Sequence, residues 1–414
     1  MSASPLVAPA ETGWTRTALL AIACAAFIVT ISMGIRQSFG LFMQPMDDAF
    51  GFGRESFGFA IALQNLLFGL VQPFVGALAD RYGARRVVVA GTLIYALGLG
   101  LAAGAQTALG LTGAFGLLVG LGLSGTTFVV VMSAVGRWVR PEQRSLAFGL
   151  VTAGGSFGQF AVVPLAQAMI AAFGWRGALF GLLALMLLTL AAVIGLRGRA
   201  AAGNAATAPE SLATALRRAT AHRHYWLLNF GFFVCGFHIA FIATHFPAYL
   251  VDQGLGPGVG AFALGLVGLF NIAGAWMFGA WGGRHSRPRL LAALYGARAL
   301  TIAVFLLVPL SAASALAFAA AFGFLWLGTV PLTSGAVASM FGMRHLSTLY
   351  GIVFLSHQVG SFLGAWLAGR FYDATASYDA VWLTSIALGV LAAVASWMTR
   401  DEPAPAWSPA GATA

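Results

Sequence analysis

Apolar stretches of about twenty residues, each closed by a short polar interval, recur along the whole chain. One bilayer crossing needs a stretch of that length, so the pattern predicts helices over 17–42, 56–79, 86–105, 109–136, 145–170 and 176–196. A second set of six is predicted over 224–250, 258–281, 288–309, 312–340, 346–371 and 379–399. Residues 197–223, between the sets, are rich in alanine, arginine and polar residues, which suits a linker with a short surface helix. The first sixteen residues are small and polar, and the apolar run after them is too long for a signal peptide, so the first span is expected to be retained. The expected organisation is all-α and polytopic: a tail over 1–16, a six-helix bundle over 17–196, the linker 197–223, a second bundle over 224–399 and a tail over 400–414.

Composition agrees with a membrane-embedded chain. Of 414 residues, 59% are hydrophobic and 8% charged, and the mean hydropathy is +0.87, far outside the range of a soluble domain. All 22 basic residues are arginine, and their placement sets the expected orientation. Seventeen fall on the side of the tails and linker; three, Arg54, Arg176 and Arg370, fall on the other; Arg36 and Arg298 lie inside spans. Such an asymmetry puts both termini in the cytoplasm with an even number of crossings. The net charge of +10 is scattered over short loops and forms no basic domain, which argues against nucleic acid as a partner. Cys24 and Cys235 sit in apolar runs and read as small buried hydrophobes. With no Walker loop, catalytic carboxylate pair or metal-ligand cluster, neither enzyme activity, a cofactor nor a metal is expected.

Two features point to a family. Residues 76–86 form a short polar hinge, Gly76-x-x-x-Asp80-Arg81-x-Gly83-x-Arg85-Arg86, between two apolar spans. It resembles the signature loop between helices 2 and 3 of the major facilitator superfamily of secondary transporters. Gly76 is expected to allow close helix approach and Gly83 the turn, with Asp80 pairing with an arginine or facing a helix end. Gly76, Asp80, Arg81, Gly83 and Arg85 are therefore the expected gating residues. The halves also resemble each other: a shift of 202 aligns Gly34 with Gly236, Pro45 with Pro247, Gly149 with Gly351 and Gly158 with Gly360. The resemblance implies two pseudo-symmetric six-helix bundles that rock about a central site. A shift of 203 aligns Gly76 with Gly279 and Arg81 with Arg284, and in that second copy of the hinge Gly283 stands where Asp80 stood, so the ionic latch is expected to be stronger in the amino-terminal half.

The twelve carboxylates all fall in tails, loops or helix ends, so Arg36 and Arg298 lie in spans without an acid. A buried cation needs a partner, and an anionic cargo would supply it. Arg36 is about six residues, roughly 9 Å, from the outer end of helix 1 and aligns with His238 of helix 7, so the two are expected to grip an anion from both halves. Arg298, about ten residues into helix 9, is open to two readings: a bond to neighbouring helix carbonyls, or a role at the cargo. His357 and Gln358 lie mid-span in helix 11 and Gln64, Asn65 and Gln72 in helix 2; Trp326 marks a kinked stretch of helix 10 with Thr329 and Pro331. Arg36, Gln64, His238, Arg298, Trp326, His357 and Gln358 are the candidate substrate-binding residues; the bland alternatives are snorkelling of Arg36 to the outer interface and interhelical bonding or packing for the others.

Within the superfamily, the short linker, Arg36 and the stretch Trp326–Gly364 are most similar to the bacterial monocarboxylate and oxalate:formate antiporter-like branch. That branch usually carries an anion-binding arginine in helix 8, which the stretch Ala273–Phe278 lacks. The resemblance implies a monomeric, multi-pass carrier of the bacterial inner membrane for a small organic anion, a mono- or dicarboxylate, moved by proton symport or anion exchange. The rivals are an efflux carrier for amphipathic or aromatic compounds and a membrane sensor that binds without transport.

Overall fold

Backbone groups inside a bilayer must bond within their own segment, so long apolar runs fold as helices. The computed structural model describes residues 14–140, 143–196, 212–342 and 345–403 and is helical throughout those spans. Of the expected segments, 1–13, 197–211, Arg344 and 404–414 lie outside the described residues. The first helical run, α1 (Arg16–Phe50), includes a 3-10 turn at Phe39–Phe42 and extends eight residues past the expected end. It is followed by α2 (Gly53–Tyr82), α3 (Ala84–Gly104) and α4 (Ala108–Val135). Arg144–Ala192 is a single helical run broken at Gly174 (φ 70°, ψ 169°), which separates α5 (144–173) from α6 (175–192). After the short helix Leu212–Thr220 come α7 (Arg223–Asp252), α8 (Pro257–Gly282), α9 (Arg287–Leu307), α10 (Ala312–Phe341), α11 (Leu346–Thr375) and α12 (Asp379–Trp397). Pro257 and Pro288 sit in the first turns of α8 and α9, where a missing N–H costs nothing.

The internal repeat reappears as packing. α1 crosses α5 and α7 crosses α11, each pair at glycines related by the 202-residue shift. Gly158 lies against the Thr30 carbonyl and Gly360 against the Phe233 carbonyl so closely that an added Cβ would overlap the backbone oxygen. Gly34 and Gly236 meet the same helices from the opposite side. Between spans with no hydrophobic drive to associate in lipid, such close approach supplies dispersion contacts.

Neither α4 nor α10 is the continuous helix that the apolar pattern suggests. α4 contains a wide turn over Thr112–Val119 and breaks at Thr126–Thr127; α10 breaks over 325–328, the same place under the shift. Side chains from other helices bond the freed groups: Ser32 Oγ donates to the Thr126 carbonyl (3.1 Å) and Asn271 Oδ1 accepts from the Leu327 N–H (2.9 Å). Broken helices at membrane depth persist only where neighbours satisfy them in this way.

The two sets of six meet along two seams. In one, α2 runs along α11, with Gly58 against Ala365 and Gly69 against Gln358; in the other, α5 faces α8, with Gly268 against Ser156 and Gln159.

Candidate functional site

Arg36, in the last turn of the first α-helical stretch of α1, points inward. Its Nη1 donates to Gln37 Oε1 (3.2 Å) and its Nη2 to Asn65 Oδ1, while the guanidinium lies 5.8 Å from the Phe68 ring. Its bonded partners are thus neutral amides, and Nε has no partner among the described residues. Beside it, Gln64 is 1% exposed, and neither its amide nitrogen nor its oxygen is bonded. Arg36, Gln64, Asn65 and Gln37 line one small central cavity with Ala240 and Thr244 of α7. At about 20 Å³ it has room for a water or two, so anything larger enters only if the cavity widens. A cleft of about 250 Å³ lies nearer the α1–α2 turn, among Gln44, Asp48, Gln167 and Pro257. Gly40 lines both spaces, packed without a side chain against the carbonyls of Ala243 and Thr244, and so separates them.

Two of the expected residues join Arg36 through Asn65. Gln358 Nε2 donates to the Asn65 backbone carbonyl (2.6 Å), and Gln358 Oε1 accepts from His357 Nδ1 (2.9 Å), which assigns the ring proton to Nδ1. The His357 ring stacks on Phe354 at 5.8 Å, and Phe354 meets Phe68 edge-on at 5.9 Å, giving the region beside Arg36 an aromatic wall.

The others lie elsewhere. His238 is fully buried and directs Nε2 to the Ser385 carbonyl of α12 (2.8 Å), away from Arg36. The 202 shift aligns it with Arg36 in register, but α7 turns Ala240 and Thr244 to the cavity instead. Arg298, also fully buried, donates through Nε and Nη2 to the Leu325 carbonyl (2.9 and 2.6 Å) and through Nη2 to that of Trp326. It thus takes the free carbonyls at the break in α10, as a cation at a helix C-terminus does. Trp326 is 1% exposed and packs edge-on against Phe322 (5.7 Å), inside the carboxy-terminal set of helices.

The hinge residues form the α2–α3 turn. Gly83 takes φ 89°, which an L-residue resists, and its N–H bonds to Ala79 O (2.9 Å). Gly76 makes only an ordinary approach to Val129 (3.4 Å), so close packing does not demand glycine there. Arg81 lies over the Tyr82 ring (5.3 Å), and Arg85 is exposed. Asp80 is 73% exposed and reaches Arg137 only at 3.9 Å; in the other half Arg287 bonds Ser339 (2.7 Å) and Asp401 (3.2 Å). Asp80 stands in solvent at a helix end, where an ion pair contributes little, whereas Arg287 and Asp401 are partly enclosed.

A third ionic contact was not legible in the sequence. At the opposite end from Asp80, Arg54 of α2 makes a bidentate pair with Asp252 of α7 (2.6 and 2.7 Å), donates to Tyr378 Oη (2.8 Å) and lies over the Tyr372 ring (3.7 Å). Asp373 accepts the N–H groups of Arg54 (3.0 Å) and Glu55 (2.7 Å), capping the start of α2 from the other half. Tyr378 in turn donates to His245 Nδ1 (3.1 Å), whose Nε2–H bonds Ala365 O (2.7 Å). This end of the passage is thus closed between the halves. In sequence Arg54 and Asp252 are two loop charges 198 positions apart, and nothing local pairs them.

Residues 22–365 match the sequence profile described as the Major Facilitator Superfamily. The chain is 29% identical over 383 residues to Monocarboxylate transporter 13 of Rattus norvegicus, covering 90% of this chain and 86% of that one. It is 25% identical over 376 residues to the Uncharacterized MFS-type transporter YcxA of Bacillus subtilis (strain 168), covering 85% and 88%. It is 22% identical over 388 residues to the Oxalate:formate antiporter of Oxalobacter formigenes, covering 90% of each. Among solved structures, a bacterial homolog of the human lysosomal transporter Spinster, in an inward-facing and occupied conformation, superposes with a TM-score of 0.75 at 15% identity, covering 96% of this chain and all of that one. With twelve apolar helices among its described residues and the internal repeat of their packing, the chain belongs to the Major Facilitator Superfamily and is a multi-pass membrane transporter, not an enzyme.

Proposed function

We propose that this transporter carries a small organic anion, a mono- or dicarboxylate, by alternating access, through proton symport or anion exchange. The observation that carries the reading is Arg36: a cation in the central cavity whose bonded partners are neutral amides, with Nε and both polar atoms of Gln64 left for a ligand. A carboxylate fits that donor set, because a guanidinium binds it through two parallel N–H···O bonds. Likeness to monocarboxylate transporters and to an oxalate:formate antiporter supports the same class of cargo. Arg36, Gln64, Asn65, His357 and Gln358 are the proposed cargo residues; His238, Trp326 and Arg298 hold the carboxy-terminal half together. His357 is the proposed proton carrier if transport is proton-coupled. The carrier is placed in a bacterial inner membrane as a monomer of two rocking bundles with cytoplasmic termini, the hinge from Gly76 to Arg85 lying on the cytoplasmic side.

The aromatic wall of Phe68, Phe354 and His357 favours a second reading, export of aromatic or amphipathic compounds. Uptake of radiolabelled carboxylates into proteoliposomes, with and without a proton gradient, separates the two. The anion reading requires saturable carboxylate flux that Arg36→Ala abolishes; flux of neutral aromatics that survives Arg36→Ala would replace it.

A further inference from the structure

We propose that Arg36 anchors two hydrogen-bonded links to the opposite half of the protein, one through Asn65 and one through Gln37 and Gln159, so that its bonds hold both seams and a bound anion relaxes both together. The first chain runs from Nη2 to the Asn65 side chain, and the Asn65 backbone carbonyl accepts from Gln358 Nε2 of α11 (2.6 Å). The second runs from Nη1 to Gln37 Oε1 (3.2 Å), from Gln37 Nε2 to Gln159 Oε1 (3.0 Å) and from Gln159 Nε2 to the Leu264 carbonyl of α8 (3.0 Å). In this chain all three N–H groups point the same way, away from the cation, so each amide polarises the next. Both chains end beside close contacts between the halves, Gly69 against Gln358 and Gly268 against Gln159.

Gln159 is 3% exposed and lines neither the central cavity nor the outer closure. Its bonds make it, with Asn65 and Gln358, a positioning residue that ties the anion site to the contact between halves. Nε–H is the guanidinium donor left without a partner among the described residues. A carboxylate admitted when the site widens would take that donor. It weakens the two bonds that Arg36 itself donates, to Asn65 and Gln37, because hydrogen bonds that lose charge assistance fall to roughly half their strength; on the α2–α11 side the Gln358 N–H points toward Asn65, so that seam is held through the position of Asn65. That last step rests on the anion reading of Arg36; the two chains do not.

Hydrogen–deuterium exchange of the full-length protein in lipid nanodiscs, without cargo, tests the chains directly. Segments 156–164 and 264–271 report the α5–α8 seam, and 58–69 and 358–365 the α2–α11 seam. Arg36→Gln, which keeps an amide and removes the charge, should raise the opening equilibrium about tenfold at both seams. Gln159→Met should do so at the α5–α8 seam alone, and Gln358→Met at the α2–α11 seam alone. Combined with Arg36→Gln, neither should add further opening at its own seam. Loosening of neither seam or only one by Arg36→Gln, or additivity in the double variants, overturns the proposal. Should Arg36→Gln fail to fold, Arg36→Met serves in its place: a thioether has no N–H for either link, so wild-type exchange at both seams also refutes it. Because no cargo is present, failure here leaves the anion reading standing, and failure of carboxylate flux leaves the chains standing.

Discussion

Breaking the Arg54–Asp252 pair should open the end of the passage that this structure holds closed. Asp252→Asn keeps the side-chain shape and removes the charge that Arg54 faces at 2.6 and 2.7 Å. The two side chains are 7% and 18% exposed, so solvent screens the pair little, and removing one partner of such a pair costs about 3 kcal/mol. Opening separates the pair in the wild type, so nearly all of that cost falls on the closed state. At a factor of ten per 1.4 kcal/mol, the ratio of open to closed should rise roughly a hundredfold. Tyr378 and the ring of Tyr372 still hold Arg54 in the variant, which puts the estimate at the low end of the range for buried pairs. Spin labels at Phe173 and Ala380, both exposed at this end and on opposite halves, read the change as a longer distance in a background lacking Cys24 and Cys235. The wild-type distance should also resist added salt, because buried charges are screened less than exposed ones. An unchanged distance distribution in Asp252→Asn, or in Arg54→Ala, would refute the assignment of this cluster as the closure.

Other outcomes follow from the same geometry. Arg36→Ala should lower carboxylate affinity about a hundredfold or more, and Arg36→Lys should keep part of it because the charge remains while the fork is lost, as binding assays on purified protein would read. Arg298→Met should lower thermal stability by about 2 kcal/mol or more by stripping the carbonyls at the α10 break of their donor, and any loss of transport should track Tm rather than KM. Gly360→Ala forces a methyl onto the Phe233 carbonyl and should cost about 1–3 kcal/mol in a thermal unfolding measurement, whereas Gly351→Ala, with open space around it, should cost little. Asp80→Asn should leave stability within about 0.5 kcal/mol, since its contact with Arg137 is long and exposed.

The gap between sequence and structure follows the range over which each interaction acts. The spans, their number and the repeat were legible in the chain, because lipid imposes length and apolarity on every crossing and each helix satisfies its own backbone. That Arg36 is a cation in an apolar run with no nearby acid was legible for the same reason; whether it snorkels to the interface or turns inward was not, and packing turned it inward. Its partners were not legible either. Asn65, on another helix, reads alone as a generic interhelical donor, and Gln159 gave no signal beyond being polar in an apolar span. Alignment by the repeat placed His238 opposite Arg36, but register does not decide which face of a helix looks into a cavity, and α7 turned Thr244 there instead. The breaks in α4 and α10 were hidden because they exist only where Ser32, Asn271 and Arg298 arrive from other helices.

By itself, then, the sequence determined a twelve-span membrane chain with a cation, and no acid, inside its spans, since hydropathy and charge are properties of the residues themselves; that it is a carrier came from the resemblance of its hinge and repeat to a known family. Which polar groups meet, which end of the passage is shut and which arginine faces the cavity were decided by tertiary packing. Hydrogen bonds and ion pairs act over about 3 Å, and only the folded chain brings residues as distant as Arg54 and Asp252 within that reach.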